Sequence, residues 1–516
     1  MKLKRYILVL LLPVLFLFAG CKSDEVLNAS KNLSSYTIDI TYNDDHTLTC
    51  KQTVDYKNNT DTTLDNIMFH LYPQSFRLGA KSSVVSTLNY KKCYEYGSSY
   101  GSLNISKQQV NGSDSEIEII GNDEDIANVK LDKPLRPNET TSIYFEYTVV
   151  IPNINHRFGY GDDTINIANF YPIACMYEDG EFVIDSYHYN GDPFYSDVAN
   201  YSITLHAPNN LVMASSGNLT SQESNENINT YTINALTIRD FAIVLSDKFN
   251  VVSDKAGDTT VNYYYYKNQY PNEAIRTSVD AVITFNRLFG TYPYKVLNVV
   301  ESDFVHGGME YPNLVLISDM VDVQSDYINV IVHEIAHQWW YGIIGNNEYH
   351  YGWLDEGLTE YSTVLFYDEN PNYNVNTKEL IKNTTNSYVT FVDVYTKVFG
   401  KVDTSMNRRL NEYNNESEYV YISYVKGMLM FDSLKDVLGK EKFIKCLQTY
   451  FEDNKFKIAT PDTLIESFSK GAKCNMRGIF ESWINGKVKI VEIKQFENHI
   501  TRERARIQTS LPLISR

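Results

Sequence analysis

Cysteine and positive charge are both scarce in this sequence. Of 516 residues only 6 are Cys, and 46 Lys and Arg stand against 64 Asp and Glu, which gives a formal net charge of -18. Proteins that bind nucleic acid need clustered Lys and Arg to displace counterions from phosphates, so this balance argues against a nucleic-acid partner. Cationic or amine-bearing ligands are instead favoured on approach.

The cysteines beyond residue 21 are too scattered for a metal cluster. They are Cys50, Cys93, Cys175, Cys446 and Cys474, an odd number without a C-x-x-C pair. Neither a zinc cluster nor a disulfide framework is therefore expected. Buried free thiols are the favoured interpretation, and a single pair between Cys446 and Cys474 is the alternative.

The first residues have the pattern of an export signal. A basic start precedes an apolar run from Tyr6 to Ala19 that is too short to span a membrane comfortably. The stretch 18–21, Phe-Ala-Gly-Cys, resembles the bacterial lipobox, in which Cys21 is lipidated and becomes the first mature residue. We therefore expect a signal peptide at 1–20 and a lipid-anchored body. An ordinary cleaved signal and an uncleaved anchor are the alternatives, and both also leave the body exported.

Two hydrophobic patterns divide the rest of the chain. After a linker at 21–34, residues 35–250 place apolar side chains at every second position, as at Tyr36, Ile38 and Ile40, with turn clusters of Asn, Asp, Gly and Ser between the runs. This alternation is typical of half-buried strands. The first part is therefore predicted to be an antiparallel β domain.

Helical spacing takes over after the polar stretch 254–258. The period predicts helices at 271–289, 326–341 and 355–367, several more between 419 and 480, and a strand at 296–300. The expected fold class is α+β, with a second domain at 251–497 and a C-terminal tail at 498–516.

The helix predicted from Asp326 carries the pattern H-E-x-x-H at 333–337. Residues four apart share one face of a helix, so the imidazoles of His333 and His337 can reach one metal ion. Glu334 lies about 100° around the helix, beside the metal, where its carboxylate can take a proton from water that the metal activates. A chance occurrence of these residues is the competing interpretation, and a third ligand tests it.

Glu356 supplies a third ligand. It follows His337 after 18 intervening residues, within the sequence Trp-Leu-Asp-Glu-Gly. Three protein ligands leave the fourth position of a zinc ion open, as hydrolytic zinc requires. The pattern therefore predicts one Zn²⁺ per chain, held by His333, His337 and Glu356, although other divalent ions fit similar sites.

Several segments, together with this metal pattern, resemble the M1 family of metallo-aminopeptidases, which are gluzincins. They occur in order along most of the chain, at 156–160, 191–195, 289–294, 307–310 and 483–486. The resemblance implies a thermolysin-like catalytic domain behind the N-terminal β domain, a zinc cofactor and peptide substrates.

The family also implies a role for Glu310. This residue follows Gly307 and Gly308 and matches the Glu that receives the free α-amino group of the substrate. Two glycines let a peptide backbone approach closely, and a fixed carboxylate selects ammonium over a neutral amide. Glu310 is therefore the candidate residue for recognition of the amino end.

The catalytic tyrosine of the family precedes a Lys-Gly pair, and Tyr424 fits that pattern. Its hydroxyl would donate a hydrogen bond to the oxyanion. The chain contains 41 Tyr, and Tyr419 and Tyr421 are nearby rivals. Only the Lys-Gly pair that follows favours Tyr424.

Three features depart from the family pattern. Tyr311-Pro312 replaces the Asn that ends the G-x-M-E-N motif, which bears on the shape of the first subsite. Thr363 stands where members often carry a second Glu that supports a zinc-bound histidine, and Glu360 is the candidate replacement. Many members also have a large helical domain after the position matching residue 483, so the site is expected to be open enough for longer peptides.

The function expected is zinc-dependent hydrolysis of peptide bonds at the amino terminus of peptides. The enzyme is expected to be lipid-anchored to the cell membrane and to face away from the cytoplasm. A zinc endopeptidase with the same metal centre is one alternative, and a non-catalytic peptide-binding surface lipoprotein is another. The intact ligand set and Glu334 argue against the second alternative.

Overall fold

Strands dominate the first part of the chain. The computed structural model describes residues 22–490, so the leader at 1–20, Cys21 and the tail at 498–516 lie outside the described residues. The strands before residue 250 are β1 (Ser35–Asn43), β2 (Thr47–Lys57), β3 (Leu64–His70), β4 (Ser102–Val110), β5 (Ser113–Asp114), β6 (Ile117–Ile120), β7 (Ile126–Leu135), β8 (Thr140–Val150), β9 (Phe158–Tyr160), β10 (Ile165–Ala168), β11 (Ile173–Ala174), β12 (Tyr177–Glu178), β13 (Glu181–Phe182), β14 (Ala199–Pro208), β15 (Val212–Ser215), β16 (Asn218–Asn225), β17 (Ile228–Ile238) and β18 (Ala242–Ser246).

An eight-stranded sheet with the order β16-β17-β14-β1-β2-β8-β4-β5 is the largest unit of this part. Alternate burial fixes its register, because Ile38 and Ile40 are buried while Asp39 between them is exposed. Burying each such Ile stabilises the fold by about 1.5–3 kcal/mol. Two four-stranded sheets, β15-β18-β10-β9 and β11-β3-β7-β6, accompany it.

The pairing of β1 with β14 differs from the expected antiparallel pattern. These two strands run parallel, whereas β1 pairs with β2, and β14 with β17, in the antiparallel sense. A long connection separates β1 from β14, and such a crossover permits parallel pairing. The predicted antiparallel pairing therefore has one exception among the paired strands of this domain, β1 with β14.

Part of the stretch expected to be a linker forms helix α1 (Lys22–Ser30). Thr237 Oγ1, at the end of β17, donates to Val26 O at 3.0 Å. The ammonium group of Lys455, from the second part of the chain, pairs with Glu25. Helix α1 therefore contacts both parts of the protein.

Helices accompany a smaller sheet in the second part. Its strands, with a short separate pair at the end, are β19 (Asn250–Ala256), β20 (Thr259–Tyr265), β21 (Val296–Ser302), β22 (Gly308–Met309), β23 (Leu314–Ser318), β24 (Gly345–Asn346) and β25 (Ile458–Ala459). The remaining helices, of which the first lies in the β domain, are α2 (Tyr90–Cys93), α3 (Pro271–Leu288), α4 (Gln324–Ala336), α5 (Glu348–Tyr351), α6 (Trp353–Glu369), α7 (Thr377–Phe399), α8 (Glu416–Tyr419), α9 (Lys426–Leu438), α10 (Lys440–Asn454), α11 (Pro461–Ala472) and α12 (Arg477–Ile484). A π-helical segment, Val420–Val425, joins α8 to α9.

The five-stranded sheet has the order β19-β20-β21-β23-β22, which leaves β22 at an edge. The polar stretch 254–258 ends β19 and turns into β20, because Ala256 pairs with Thr259. It is therefore the turn of a hairpin between β19 and β20. The α+β class, with a β-rich first domain and a helical later part, is confirmed.

Two further observations concern cysteines and membrane spans. The cysteines within residues 22–490 are all free thiols, so the alternative pair between Cys446 and Cys474 does not form.

In the same range, no helix combines the length and the apolar character needed to cross a membrane.

Candidate metal centre and active site

Three buried side chains bring their metal-binding atoms together. His333 and His337 lie one turn apart at the end of α4, and their Nε2 atoms are 3.1 Å apart. Glu356, in the first turn of α6, places Oε2 3.2 Å from His337 Nε2 and 3.3 Å from His333 Nε2. Tetrahedral zinc with bonds of about 2.0–2.1 Å requires ligand atoms roughly 3.3 Å apart. The donor types and their spacing therefore fit one zinc ion.

The charge of Glu356 also suits a cation. Burial opposes ionisation of this carboxyl, but His337 and His333 outweigh burial and lower its pKa to about 2. The group is therefore a carboxylate at neutral pH, which is the form that binds a metal.

The second nitrogen of each imidazole has a partner of its own. His337 Nδ1 lies 3.1 Å from Trp340 O and 3.2 Å from Thr359 Oγ1, and His333 Nδ1 lies 3.4 Å from Glu360 Oε1. Such partners orient the ring and select the nitrogen that faces a metal. Glu360 thus lies in the supporting position, whereas Thr363 donates to the Glu360 carbonyl.

Glu334 lies beside the ligand triad and is 5% exposed. Its Oε2 has no hydrogen-bond partner among residues 22–490. A Cβ atom placed on Gly308 would lie 2.3 Å from Glu334 Oε1, so glycine is needed where β22 passes this carboxylate. Burial raises the pKa of Glu334 to about 7. A general base works most efficiently when its pKa lies near the working pH.

A second group of carboxylates lies next to the metal ligands. Glu310 directly follows β22, is buried, and has an Oε1 without a partner in the described part of the chain. Asp192 reaches it from the β domain, since carboxylate oxygens of Asp192, Glu310 and Glu356 all lie within 4.8 Å of one another. Burial raises the pKa of Glu310 well above its usual range, and Asp192 raises it further. A cation bound here would offset the repulsion from Asp192 and favour the ionised form of Glu310, so this group can accommodate a positive charge close to the candidate metal position.

Asp192 is a functional candidate that sequence reasoning did not single out. Arg157 Nη1 donates to Asp192 Oδ1, and the guanidinium group lies 5.1 Å from the centre of the Phe194 ring. This buried ion pair fixes the position of Asp192. The available signal was the family-like stretch 191–195, which carried no assigned role.

Gly307 starts the turn into β22 with a φ of +55°, a conformation that favours glycine. Among residues 22–490, no atom lies within 4 Å of the place that a Cβ atom would take here. The backbone angle therefore explains the presence of glycine at position 307, whereas the close contact with Glu334 explains the glycine at position 308.

Tyr424 reaches the metal ligands from the π-helical segment. Its hydroxyl donates to Glu356 Oε1, and its ring lies parallel to that of His333 with centroids 6.0 Å apart. Tyr421 is directed elsewhere, because its hydroxyl lies 2.8 Å from Ser387 Oγ. The structure thus brings Tyr424, and not Tyr421, to the candidate site.

Tyr419, the other rival, is buried close to the same site. Its ring centre lies 5.6 Å from that of Tyr424. A Cβ atom on Gly191 would lie 2.8 Å from the Tyr419 ring, and one on Gly352 would lie 2.5 Å from its hydroxyl. Tyr419 is therefore packed between two glycines, which limits its movement.

Two glycines hold α6 and α9 together beside Tyr424. A Cβ atom on Gly357 would lie 2.7 Å from Gly427 Cα, and one on Gly427 would lie 2.6 Å from Gly357 Cα. The backbones can approach this closely only because neither residue has a side chain. Since Glu356 and Tyr424 flank these glycines in sequence, the contact fixes the distance between them.

Known proteins resemble this chain over part of its length. Residues 274–483 match the Peptidase family M1 domain. Aminopeptidase M1 of Arabidopsis thaliana is 23% identical over 331 residues, which cover 60% of this chain and 37% of that protein. Aminopeptidase M1-A of Oryza sativa subsp. japonica is 24% identical over 251 residues, which cover 46% of this chain and 28% of that protein. The chain thus spans about a third of the length of these curated relatives.

Solved structures share the fold over nearly the whole length. The M1 zinc metallopeptidase from Deinococcus radiodurans aligns with a TM-score of 0.62 at 16% identity, over 89% of this chain and 95% of that chain. At this identity the likeness concerns the fold alone. Residues 274–483, which match the Peptidase family M1 domain, contain the three candidate metal ligands.

Proposed function

We propose that this chain is a zinc-dependent aminopeptidase. The observation that carries the proposal is the adjacency of two groups. The donor atoms of His333, His337 and Glu356 converge within hydrogen-bonding distances, and the buried carboxylates of Glu310 and Asp192 lie directly beside them. A peptide whose ammonium group binds these carboxylates would place its first peptide bond next to the metal position.

Each residue has a defined part in hydrolysis. Zinc held by the three ligands would polarise the scissile carbonyl and lower the pKa of water. Glu334 accepts a proton from the attacking water and can return it to the departing amine. The Tyr424 hydroxyl donates a hydrogen bond to the carbonyl oxygen as negative charge develops there.

Recognition of the amino end follows from Glu310 Oε1, which has no hydrogen-bond partner among residues 22–490. A buried carboxylate oxygen without a hydrogen-bond donor is unfavourable, so an ammonium group that donates to it is bound selectively. An internal peptide bond offers no such charge. An endopeptidase would therefore leave the Glu310 carboxylate without a charged group to bind. The names of the relatives, Aminopeptidase M1 and Aminopeptidase M1-A, also agree with exopeptidase activity.

The proposal is tested with a panel of fluorogenic aminoacyl substrates, each compared with its N-acetyl form. A charge-assisted hydrogen bond contributes about 1.5–3 kcal/mol, or roughly one to two decades in kcat/KM. Substrates with a free amino group should be cut faster than their N-acetyl forms by at least that factor. Glu310→Ala should reduce this difference in kcat/KM, because it slows cleavage of the substrates with a free amino group. Equal rates on both forms, or internal cleavage of blocked peptides, would favour the endopeptidase instead.

Metal content is the second test. Purified protein should contain about one zinc per chain, and a chelator should abolish hydrolysis that added zinc restores. Peptide binding without hydrolysis in the zinc-loaded protein would favour the non-catalytic surface protein.

We also propose that lipid on Cys21 holds the enzyme at the outer face of the cell membrane. The lipobox-like stretch 18–21 motivates this proposal, and helix α1 begins directly after it. Cys21→Ala should release protein into the medium or leave the precursor uncut. Normal cleavage with unchanged membrane retention would contradict the lipid anchor and point to other means of attachment.

A further inference from the structure

Tyr341 has an unusual backbone conformation close to the candidate metal site. Its φ is +147°, a region in which a residue with a side chain is strained and glycine is favoured. Tyr341 follows α4 by five residues and is 1% exposed. Such a conformation persists only where surrounding contacts hold it.

Two neighbouring residues of the β domain supply those contacts. Asp240 accepts a hydrogen bond from the Tyr341 hydroxyl, and Arg239 Nε donates to Tyr341 O at 3.2 Å. Both residues lie between β17 and β18 and are 1% exposed. The side chain and the backbone of Tyr341 are therefore each tied to the other domain.

Arg239 and Asp240 are themselves held in place by contacts within the β domain. Arg239 Nη1 donates to Ser196 O at 2.7 Å, and Ser196 Oγ donates to Asp240 Oδ1 at 3.0 Å. A Cβ atom on Gly345 would lie 2.1 Å from Arg239 Cζ, so glycine at this position leaves room for the guanidinium group. Arg239 and Asp240 are thus a rigid unit that contacts the chain between α4 and α5.

The held conformation reaches a candidate metal ligand through one carbonyl. Trp340 O, in the peptide group joined to Tyr341, lies 3.1 Å from His337 Nδ1. A carbonyl at this position accepts the Nδ1 proton, which leaves Nε2 free to bind a metal, and it orients the ring together with the Thr359 hydroxyl, 3.2 Å from the same Nδ1. Moving Tyr341 would rotate that peptide group and displace the carbonyl.

We infer that Arg239 and Asp240 of the β domain are positioning residues for the zinc ligand His337, acting through the strained backbone of Tyr341. The inference rests on the proposed zinc site. The β domain thereby contributes to metal affinity although it supplies no ligand.

The test compares zinc affinity with stability in three single variants. Tyr341→Phe keeps the strain but removes the hydroxyl that holds it, so zinc should bind about 10- to 100-fold more weakly, the usual effect of losing a supporting contact. Tyr341→Gly removes the strain together with the side chain. It should lower the melting temperature more than Tyr341→Phe, yet bind zinc more tightly than Tyr341→Phe. Tyr294→Phe removes another buried hydroxyl that donates to the β domain, at Thr237 O, and should leave zinc affinity unchanged.

Zinc dissociation constants are measured by competition with a chromophoric chelator, and the visible spectrum of the Co²⁺-loaded protein reports ligand geometry. Asp240→Ala, which removes the acceptor oxygens, should match Tyr341→Phe in both readouts and add nothing to it in the double variant. If Tyr341→Phe binds zinc as tightly as the wild-type protein and shows the same Co²⁺ spectrum, the inference is overturned while the proposed function stays intact. Failure of the wild-type protein to bind zinc would overturn both. If Tyr341→Gly does not fold, the comparison of Tyr341→Phe with Tyr294→Phe decides.

Discussion

The hydroxyl of Tyr424 donates to Glu356 Oε1, on the carboxylate whose other oxygen lies 3.2 Å from His337 Nε2. The tyrosine therefore touches a candidate metal ligand directly. A carbonyl oxygen that approaches the metal position would come within reach of this hydroxyl, which is the position required of an oxyanion donor.

Replacing Tyr424 by Phe should lower kcat by roughly 10²- to 10³-fold, because one preorganised donor to the developing charge is lost, while KM changes little. Steady-state kinetics on a free aminoacyl substrate measures both constants. Tyr421→Phe is the matched control, since its hydroxyl contacts Ser387 away from the site. A large effect in Tyr421→Phe with none in Tyr424→Phe would show that the wrong tyrosine has been chosen.

Glu334→Gln should retain about one zinc per chain and lose nearly all activity. The amide keeps the size of the side chain but cannot accept the proton, and Glu334 is not among the ligand atoms that converge. Zinc content by elemental analysis and turnover are measured on the same preparation. Near-normal turnover by zinc-loaded Glu334→Gln would exclude Glu334 as the base.

Gly357→Ala should reduce both stability and kcat. The added methyl would lie 2.7 Å from Gly427 Cα and force α6 away from α9, which separates Glu356 from Tyr424. Gly478→Ala in α12 is the control, because no atom of the described part of the chain lies within 4 Å of its Cβ position. The control should be neutral or stabilising by up to about 1 kcal/mol. Thermal unfolding and kinetics that are equal for the two variants would contradict a role for the glycine contact.

Stability should rise with pH through the titration of Lys426. This side chain is fully buried, with Nζ donating to Thr404 O and Trp483 O, and burial lowers its pKa to about 7. The unfolded chain, with a lysine pKa of about 10.4, binds the proton more strongly between those two values. This group therefore adds to the free energy of unfolding as pH rises through that window, by at most about 1.4 kcal/mol per pH unit.

Lys426→Met isolates this contribution. The free energy of unfolding is measured with urea at about pH 7.5 and about pH 9.5. It should increase more between these two pH values in the wild-type protein than in the variant. The difference between the two proteins removes the contributions of other titrating groups. Identical gains would mean that Lys426 has an ordinary pKa in the folded protein.

Local periodicity made the metal ligands and the first strands predictable. His333 and His337 follow from the geometry of one helical turn, and the burial of Ile38 and Ile40 follows from strand alternation. Both depend on spacings within a single element, which the sequence states directly. The α+β class follows from the same two periods.

Contacts between distant segments could not be predicted from local periodicity. Asp192 meets Glu310 only because the β domain folds against the second domain, and no local spacing records that approach. The end of α4 was misplaced for a similar reason. The helix was predicted to continue to Tyr341, but it ends at Ala336, and the unusual φ at Tyr341 accompanies contacts from the β domain.

Helix α7 was not predicted at all, because its many Asn, Thr and Val residues are weak helix formers. Tertiary packing compensates, since Tyr388 and Phe391 are buried against the rest of the domain. The Asn376 side chain also accepts from Glu379 N and caps the first turn.

The contacts of helix α1 set where the chain can be shortened. A protein that starts at residue 22 retains the Glu25–Lys455 ion pair, whereas one that starts at Ser35 loses it and leaves the Thr237 hydroxyl without its acceptor at Val26. A soluble form for biochemical work should therefore begin immediately after Cys21. Under the proposed lipid attachment at Cys21, the tether of the full-length protein would be short and fixed, because helix α1 follows Cys21 directly and is part of the folded body.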